Sequence, residues 1–268
     1  MTSEISARAA HAGTKAEKLR LLPPWPEAAQ ISDVPLMKEV RRGNTNPAGH
    51  ILSAKMGRKL QYRSPNERAF LILAEVDANV VRIADRPTYS TAMIDGRADG
   101  HYPDYAILVD GVAEVHEVKS DDQYAHQDLV RRLGFHQREI EARGCIYSVA
   151  LRSALLAEPR YGRAARLWPF STDRISPEQS AAVKTVVQRG PTVVGDLMAE
   201  LRHRLGSAAP PRRAVLGMAA RGEILTDLTE PVGVETIVRP YDPLAMPERL
   251  IAVRRPLDDL LERYKVAA

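Results

Sequence analysis

The sequence predicts a mixed α/β domain, with helices packed on a small sheet, followed by a second and mainly helical unit. Three observations carry that expectation. In "HYPDYAILVDGVAEVHEVKS", residues 101–120, apolar runs flank Asp110-Gly111, and Asp-Gly is a strong signal for a two-residue hairpin turn. A capped helical segment precedes this hairpin and an amphipathic one follows it, as a layered α/β unit requires. From Ser176 onward, three helical segments lead into two short strand-like runs.

The elements follow in chain order. Residues 1–49 read as an N-terminal arm, 50–172 as the α/β domain, and 173–268 as the second unit with a tail helix. Residues 1–60 look irregular, with "LLPPWPEAAQ" rich in proline and "RRGNTNPAGH" rich in turn formers. Lys38, Arg41, Arg42, Lys55, Arg58, Lys59 and Arg63 suggest an arm near phosphates, or else a solvated linker; Lys59 and Arg63 are taken as candidate DNA contacts. "SPNERAFLILAEVD" starts a helix, with Ser64 as cap, Pro65 in the first turn and Glu67 completing a capping box. A strand fits Tyr89 to Ile94, and the hairpin comes next. "DDQYAHQDLVRRLGFHQREIEARG" reads as one helix ended by Gly144, and "CIYSVAL" as a short buried strand. "SPEQSAAVKTVVQRG", "TVVGDLMAELRHRLG" and "PPRRAVLGMAARGEI" are three helices. "ILTDLTEPVGVETIVRP" supplies two strands, giving the layout of a winged helix whose third helix would enter the major groove. "PLDDLLERYKV" is a short amphipathic helix suited to packing on a neighbour.

Composition narrows the classes. With 44% apolar residues among 268, a buried core is feasible. The single cysteine, Cys145, excludes an internal disulfide framework and a Cys-rich zinc site. The formal charge of +4 permits a polyanionic partner. No apolar run reaches membrane-span length and the first residues lack a signal-peptide core, so a cytoplasmic protein with no membrane role is expected.

The hairpin carries the chemistry. Folded at Asp110-Gly111, it sets Val109 opposite Val112, Ile107 opposite Glu114 and Asp104 opposite Glu117. Side chains two apart share a face, so Asp104, Glu117 and Lys119 lie together beside Ala106, Leu108, Ala113 and Val115. Two facing carboxylates repel. A hard divalent cation relieves them, and magnesium suits a site of few carboxylates completed by water and substrate phosphates. Lys119 is placed to orient the attacking water or to offset charge on the phosphate. Pro103-Asp104, twelve residues, then Glu117-Val118-Lys119 is the PD-(D/E)xK pattern of metal-assisted phosphodiester hydrolysis.

The remaining candidates are weighed beside these. Glu67 is a helix cap, a metal-site acid, or both, since it shares a helix face with Phe70, Leu71 and Ala74. His116 alternates away from Glu117 and reads as structural. His101 reads as a possible DNA contact, and Asp95 and Asp99 as shaping the loop before the site. Arg212 and Arg213 open the third helix of the second unit, as phosphate or base contacts or as solvated charges.

"GRKLQYRSPNERAFLILAEVD", then "YPDYAILVDGVAEVHEVKS", then a helix and "GCIYSVAL", resembles the TnsA-type endonuclease subunit of heteromeric transposases, over roughly residues 50–170. The resemblance implies a restriction-endonuclease-like fold. It implies catalytic roles for Glu67, Asp104, Glu117 and Lys119, with magnesium, or manganese in its place, held by Asp104, Glu117 and Glu67. It also implies cleavage of double-stranded DNA at the 5′ ends of a mobile element, beside a DDE-type transposase and an AAA+ ATPase regulator at the bacterial nucleoid. The best-known pattern has Gln where this chain has Glu117. The competing readings are a free-standing restriction, repair or phage endonuclease, and a winged-helix DNA-binding regulator whose α/β domain is inactive.

Overall fold

The structure is a computed structural model that describes residues 22–37, 47–206, 211–228 and 230–267. Lys38, Arg41 and Arg42 lie outside the described residues. The segment 22–37 lies against the domain. Arg82 pairs with Asp33, donates to the Pro23 carbonyl at 2.7 Å and sits over the Trp25 ring.

The expected irregularity up to residue 60 is corrected by a hairpin of β1 (Gly49–Ser53) and β2 (Arg58–Tyr62). Its turn is fixed by buried polar groups rather than by a turn dipeptide. Glu75 accepts from Ser53 Oγ, Ala54 N and Lys55 N, and Lys55 Nζ donates to the carbonyls of Ala74, Asp77 and Val80. Of the basic residues expected to lie near phosphates, Lys55 and Arg58 are therefore buried, Arg58 on Asp85 at 2.7 Å, while Lys59 is exposed and Arg63 partly buried. Helix α1 (Pro65–Val76) begins with the Ser64 cap accepting from Glu67 N. The capping box is only half formed. The Glu67 carboxylate accepts from Arg63 N at 2.9 Å, one residue before the cap.

Five strands follow where three were expected. They are β3 (Val80–Asp85), β4 (Ser90–Ile94), β5 (Arg97–His101), β6 (Tyr105–Val109) and β7 (Val112–Lys119). β4 and β5 form their own hairpin at Asp95-Gly96. The segment after β7 is broken at His126 into α2 (Asp121–Ala125) and α3 (Gln127–Glu141), and β8 (Ile146–Leu151) follows. The main sheet has the order β3-β6-β7-β8, antiparallel except for the parallel β7–β8 pair. Alternation along β6 and β7 divides the core. Tyr105, Ile107, Val109 and Val118 face α1, while Ala106, Ala113 and Val115 face Val130, Leu133 and Ile140 of α3. The chain is thus a mixed α/β fold with a helix on each sheet face.

Short α4 (Arg152–Leu155) and α5 (Arg160–Leu167) lead to the second unit. It runs α6 (Pro177–Val187), β9 (Thr192–Val193), α7 (Val194–Leu205), α8 (Pro211–Ala220), β10 (Ile224–Thr226) and β11 (Ile237–Pro240), with β11 between β10 and β9. In α8, Arg212 and Arg213 are exposed, whereas Ala214 to Ala220 are all buried. Gly217 is the reason α8 can lie so close: a Cβ there would come within 3.0 Å of the Phe170 carbonyl. The tail helix α9 (Pro256–Ala267) docks on α3, where a Cβ on Gly134 would meet Leu257 at 3.1 Å, and where Leu257 N bonds Gln137. Among the described residues, no helix is long and apolar enough to cross a membrane.

Candidate active site

The β6–β7 register is Val109↔Val112, Ile107↔Glu114 and Tyr105↔His116, and its next step brings Asp104 level with Glu117. Asp110 and Gly111 both adopt positive φ, 49° and 77°, the two-residue turn that fixes this register. A directed bond then locks the end of the hairpin: Val118 N–H donates to Asp104 Oδ2 at 2.8 Å. Both carboxylates are buried.

Each acid has its own basic partners. Lys119 Nζ pairs with Glu117 Oε1, and His101 Nε2 lies 3.0 Å from Glu117 Oε2. His101 thus bonds to the site itself, which it reaches because β5 ends beside β6. Arg86 pairs with Asp104 Oδ1 at 2.6 Å and with Glu67 Oε2 at 3.0 Å. Its backbone N–H and its guanidinium also both donate to the Asp104 carbonyl. Tyr105 Oη donates to the Gln61 carbonyl at 2.8 Å and lies 3.2 Å from the same Glu67 oxygen, and its ring stacks on Phe70. Glu67 is thus gathered into the cluster by Arg86, which spans it and Asp104.

The electrostatics are uneven. Burial and the Glu117 charge raise the Asp104 pKa, against the pull of Arg86. Burial would raise Glu117 too, but Lys119 and His101 hold it well below the usual carboxylate range. With Glu67 drawing on the same Arg86, three buried acids share two permanent cations, Arg86 and Lys119.

Asp99 shapes more than a loop. It pairs with Arg132 at 2.6 Å and with His136 at 2.8 Å, pinning β5 to α3, while Asp95 pairs with Arg131. His136 in turn lies against the His101 ring, 4.8 Å between centroids. His116 is structural as expected, bonded to Ser148 at 2.8 Å on the far face. Arg213 lies 3.8 Å from Asp173, and Arg212 sits over the Phe170 ring.

Arg86, and the bond of His101 to Glu117, are not marked by the sequence reading. Arg86 comes from the loop after β3 and sits in the left-handed region at φ 49°, a backbone cost of order 1–3 kcal/mol for a side chain of this kind. The only local sign is that it precedes a proline.

Among the described residues, no group of three or more His, Cys, Asp and Glu side chains converges to hold a metal ion. The donor set nonetheless fits one hard cation. Two buried, positionally fixed carboxylates are what magnesium asks of a protein when water and phosphate oxygens complete its shell. Compared with known proteins, the chain matches no family model and no curated sequence.

Proposed function

We propose that this chain is a divalent-metal-dependent DNA endonuclease, acting as the TnsA-type subunit that cleaves the 5′ ends of a mobile element. The observation that carries the reading is the fixed facing of Asp104 and Glu117 at the end of one hairpin, with Lys119 paired beside them. The mixed sheet with a helix on each face supports a restriction-endonuclease-like domain over 50–172. The order α-β-α-α-β-β with the last strand central supports a winged-helix-like unit over 173–268. Double-stranded DNA, a DDE-type transposase and an AAA+ ATPase are the partners this reading calls for.

Asp104 and Glu117 are the residues that would hold magnesium or manganese. When bound, such an ion supplies Lewis acidity and lowers the pKa of water. The protein's own groups do the rest. Val118 N–H and Arg86 fix the Asp104 carboxylate, and His101 fixes Glu117. Lys119 presents an ammonium at the mouth of the site, where it can hold a phosphate oxygen or orient water. Because α8 is buried beyond its first turn, Arg212 and Arg213 would contact the DNA backbone while the rest of that helix stays packed. Lys59 is exposed for the same use.

The test is nicking of supercoiled DNA with and without magnesium or manganese, alongside melting curves. The metal should raise the melting temperature by mass action, and Asp104→Asn should remove that rise. Absence of both metal stabilisation and nicking would overturn the reading. Arg212→Ala with Arg213→Ala should weaken DNA binding and flatten its salt dependence, since phosphate contacts release counterions.

A further inference from the structure

We infer that Arg86 stands in for a second metal ion, so that the site takes a single divalent cation and Glu67 serves Arg86 rather than the metal. The inference rests on the metal-site reading above and deepens it.

Three carboxylates meet here, and their partners divide them unequally. Glu67 Oε2 already accepts from Arg63 N at 2.9 Å and from Arg86 at 3.0 Å, with Tyr105 Oη 3.2 Å away. Two donors occupy that oxygen, and Oε1 lies 3.5 Å from Ser64 Oγ at the helix cap. The same guanidinium bonds Asp104 Oδ1, while Oδ2 accepts from the N–H of Val118, the residue after Glu117 on β7. The buried Arg86 side chain therefore separates the acids into two sets. Glu67 and one Asp104 oxygen face a fixed organic cation. The other Asp104 oxygen is tied to β7 beside Glu117, whose own oxygens meet Lys119 and His101.

Arginine suits this duty. Its guanidinium is always charged and presents several donors in one plane, so it bridges two carboxylates at once. Its place is also defined from behind. The guanidinium lies over the Tyr105 ring, and the Arg86 backbone is tied to Asp104 by its own N–H. Arg86 is thus a positioning residue. It fixes the orientation of the Asp104 carboxylate and keeps a second metal ion out. Glu67 matters because it holds Arg86 in place.

The experiment is calorimetric titration of the full chain with manganese, without DNA. Wild type should bind one ion, and Glu67→Gln should still bind one. Arg86→Gln leaves Glu67 and Asp104 without their cation and should bind two. Arg86→Gln combined with Glu67→Gln should return to one. Cleavage by the double variant should be no worse than by the poorer single variant, because the two residues act as a unit. Two ions in wild type, or loss of the ion in Glu67→Gln, would overturn the assignment of Arg86 and leave the nuclease reading standing. No ion in wild type would overturn both. Should Arg86→Gln fail to fold, Glu67→Gln alone decides, because a direct ligand and a partner of Arg86 differ in ion count.

Discussion

Helix α1 carries two buried acids, Glu67 in its first turn and Glu75 in its last, and they live in different surroundings. Glu75 is served by Ser53 and by two backbone N–H groups, and the neighbouring Lys55 spends all three of its donors on carbonyls. Every charge there has a dedicated partner, and the result is a fixed β1–β2 turn. At the other end Glu67, Asp104 and Glu117 share two permanent cations, Arg86 and Lys119, with a histidine beside them. One end is satisfied and the other keeps an unmatched negative charge under cover. Burial alone does not make a candidate site; burial with competing like charges does.

The largest expected effect tests that contrast by chemistry. Asp104→Asn and Lys119→Ala should each lower cleavage by about a hundredfold or more, the scale of several kcal/mol of transition-state stabilisation. Glu75→Gln should leave cleavage and the metal response unchanged. A Glu75→Gln protein that folds normally but no longer responds to metal would erase the distinction between the two ends.

Next in size is stability. Arg86→Ala leaves Glu67 and Asp104 buried without their shared cation, which should cost about 3–5 kcal/mol in urea unfolding. Asp104→Asn should cost far less, because it removes a charge that already repels Glu117. Equal losses for the two would mean that Asp104 is an ordinary partner of Arg86 and that its facing of Glu117 carries no penalty. Glu75→Gln falls between them, at about 1–3 kcal/mol, since it keeps one acceptor and weakens bonds to buried donors.

The contrast between the ends also explains what the sequence could reveal. The hairpin register and the Ser64 cap are local, set by Asp110-Gly111 and by a three-residue spacing, and both stand as read. Asp104, Glu117 and Lys119 were legible because strand alternation brings them together within twenty residues. Arg86 and His101 reach the site through sheet neighbours, β3 beside β6 and β5 ending near it, and no short-range signal announces that. The β1–β2 hairpin was missed because its turn is held by Glu75 and Lys55 from elsewhere in the fold. The burial of α8 follows from packing on residues near Phe170, which an amphipathic reading of "PPRRAVLGMAARGEI" does not show.

The smallest expected effect separates the two ends by pH. Lys55 and Lys119 are both lysines drawn out of water, yet they shift in opposite directions. Burial lowers Lys55 to about 8, with Glu75 and Asp77 only partly opposing it. Burial also pulls Lys119 down, but Glu117 and Asp104 outweigh it and leave its pKa raised. For Lys55 the unfolded chain, near 10.5, binds more protons than the folded one between about pH 8 and 10.5, so its contribution to stability rises with pH across that window. For Lys119 the folded state holds its proton more tightly. Its contribution is complete below the unfolded value and is lost as pH climbs through the raised one. Of the two lysines, only Lys55 adds a slope below about pH 10, at most about 1.4 kcal/mol per pH unit. Urea unfolding followed from neutral pH to about pH 10 should therefore show a flatter profile in Lys55→Met than in wild type, and an unchanged one in Lys119→Met. If Lys119→Met flattens the profile and Lys55→Met does not, the unmatched charge lies at the β1–β2 turn and the functional assignment of the two ends of α1 is reversed.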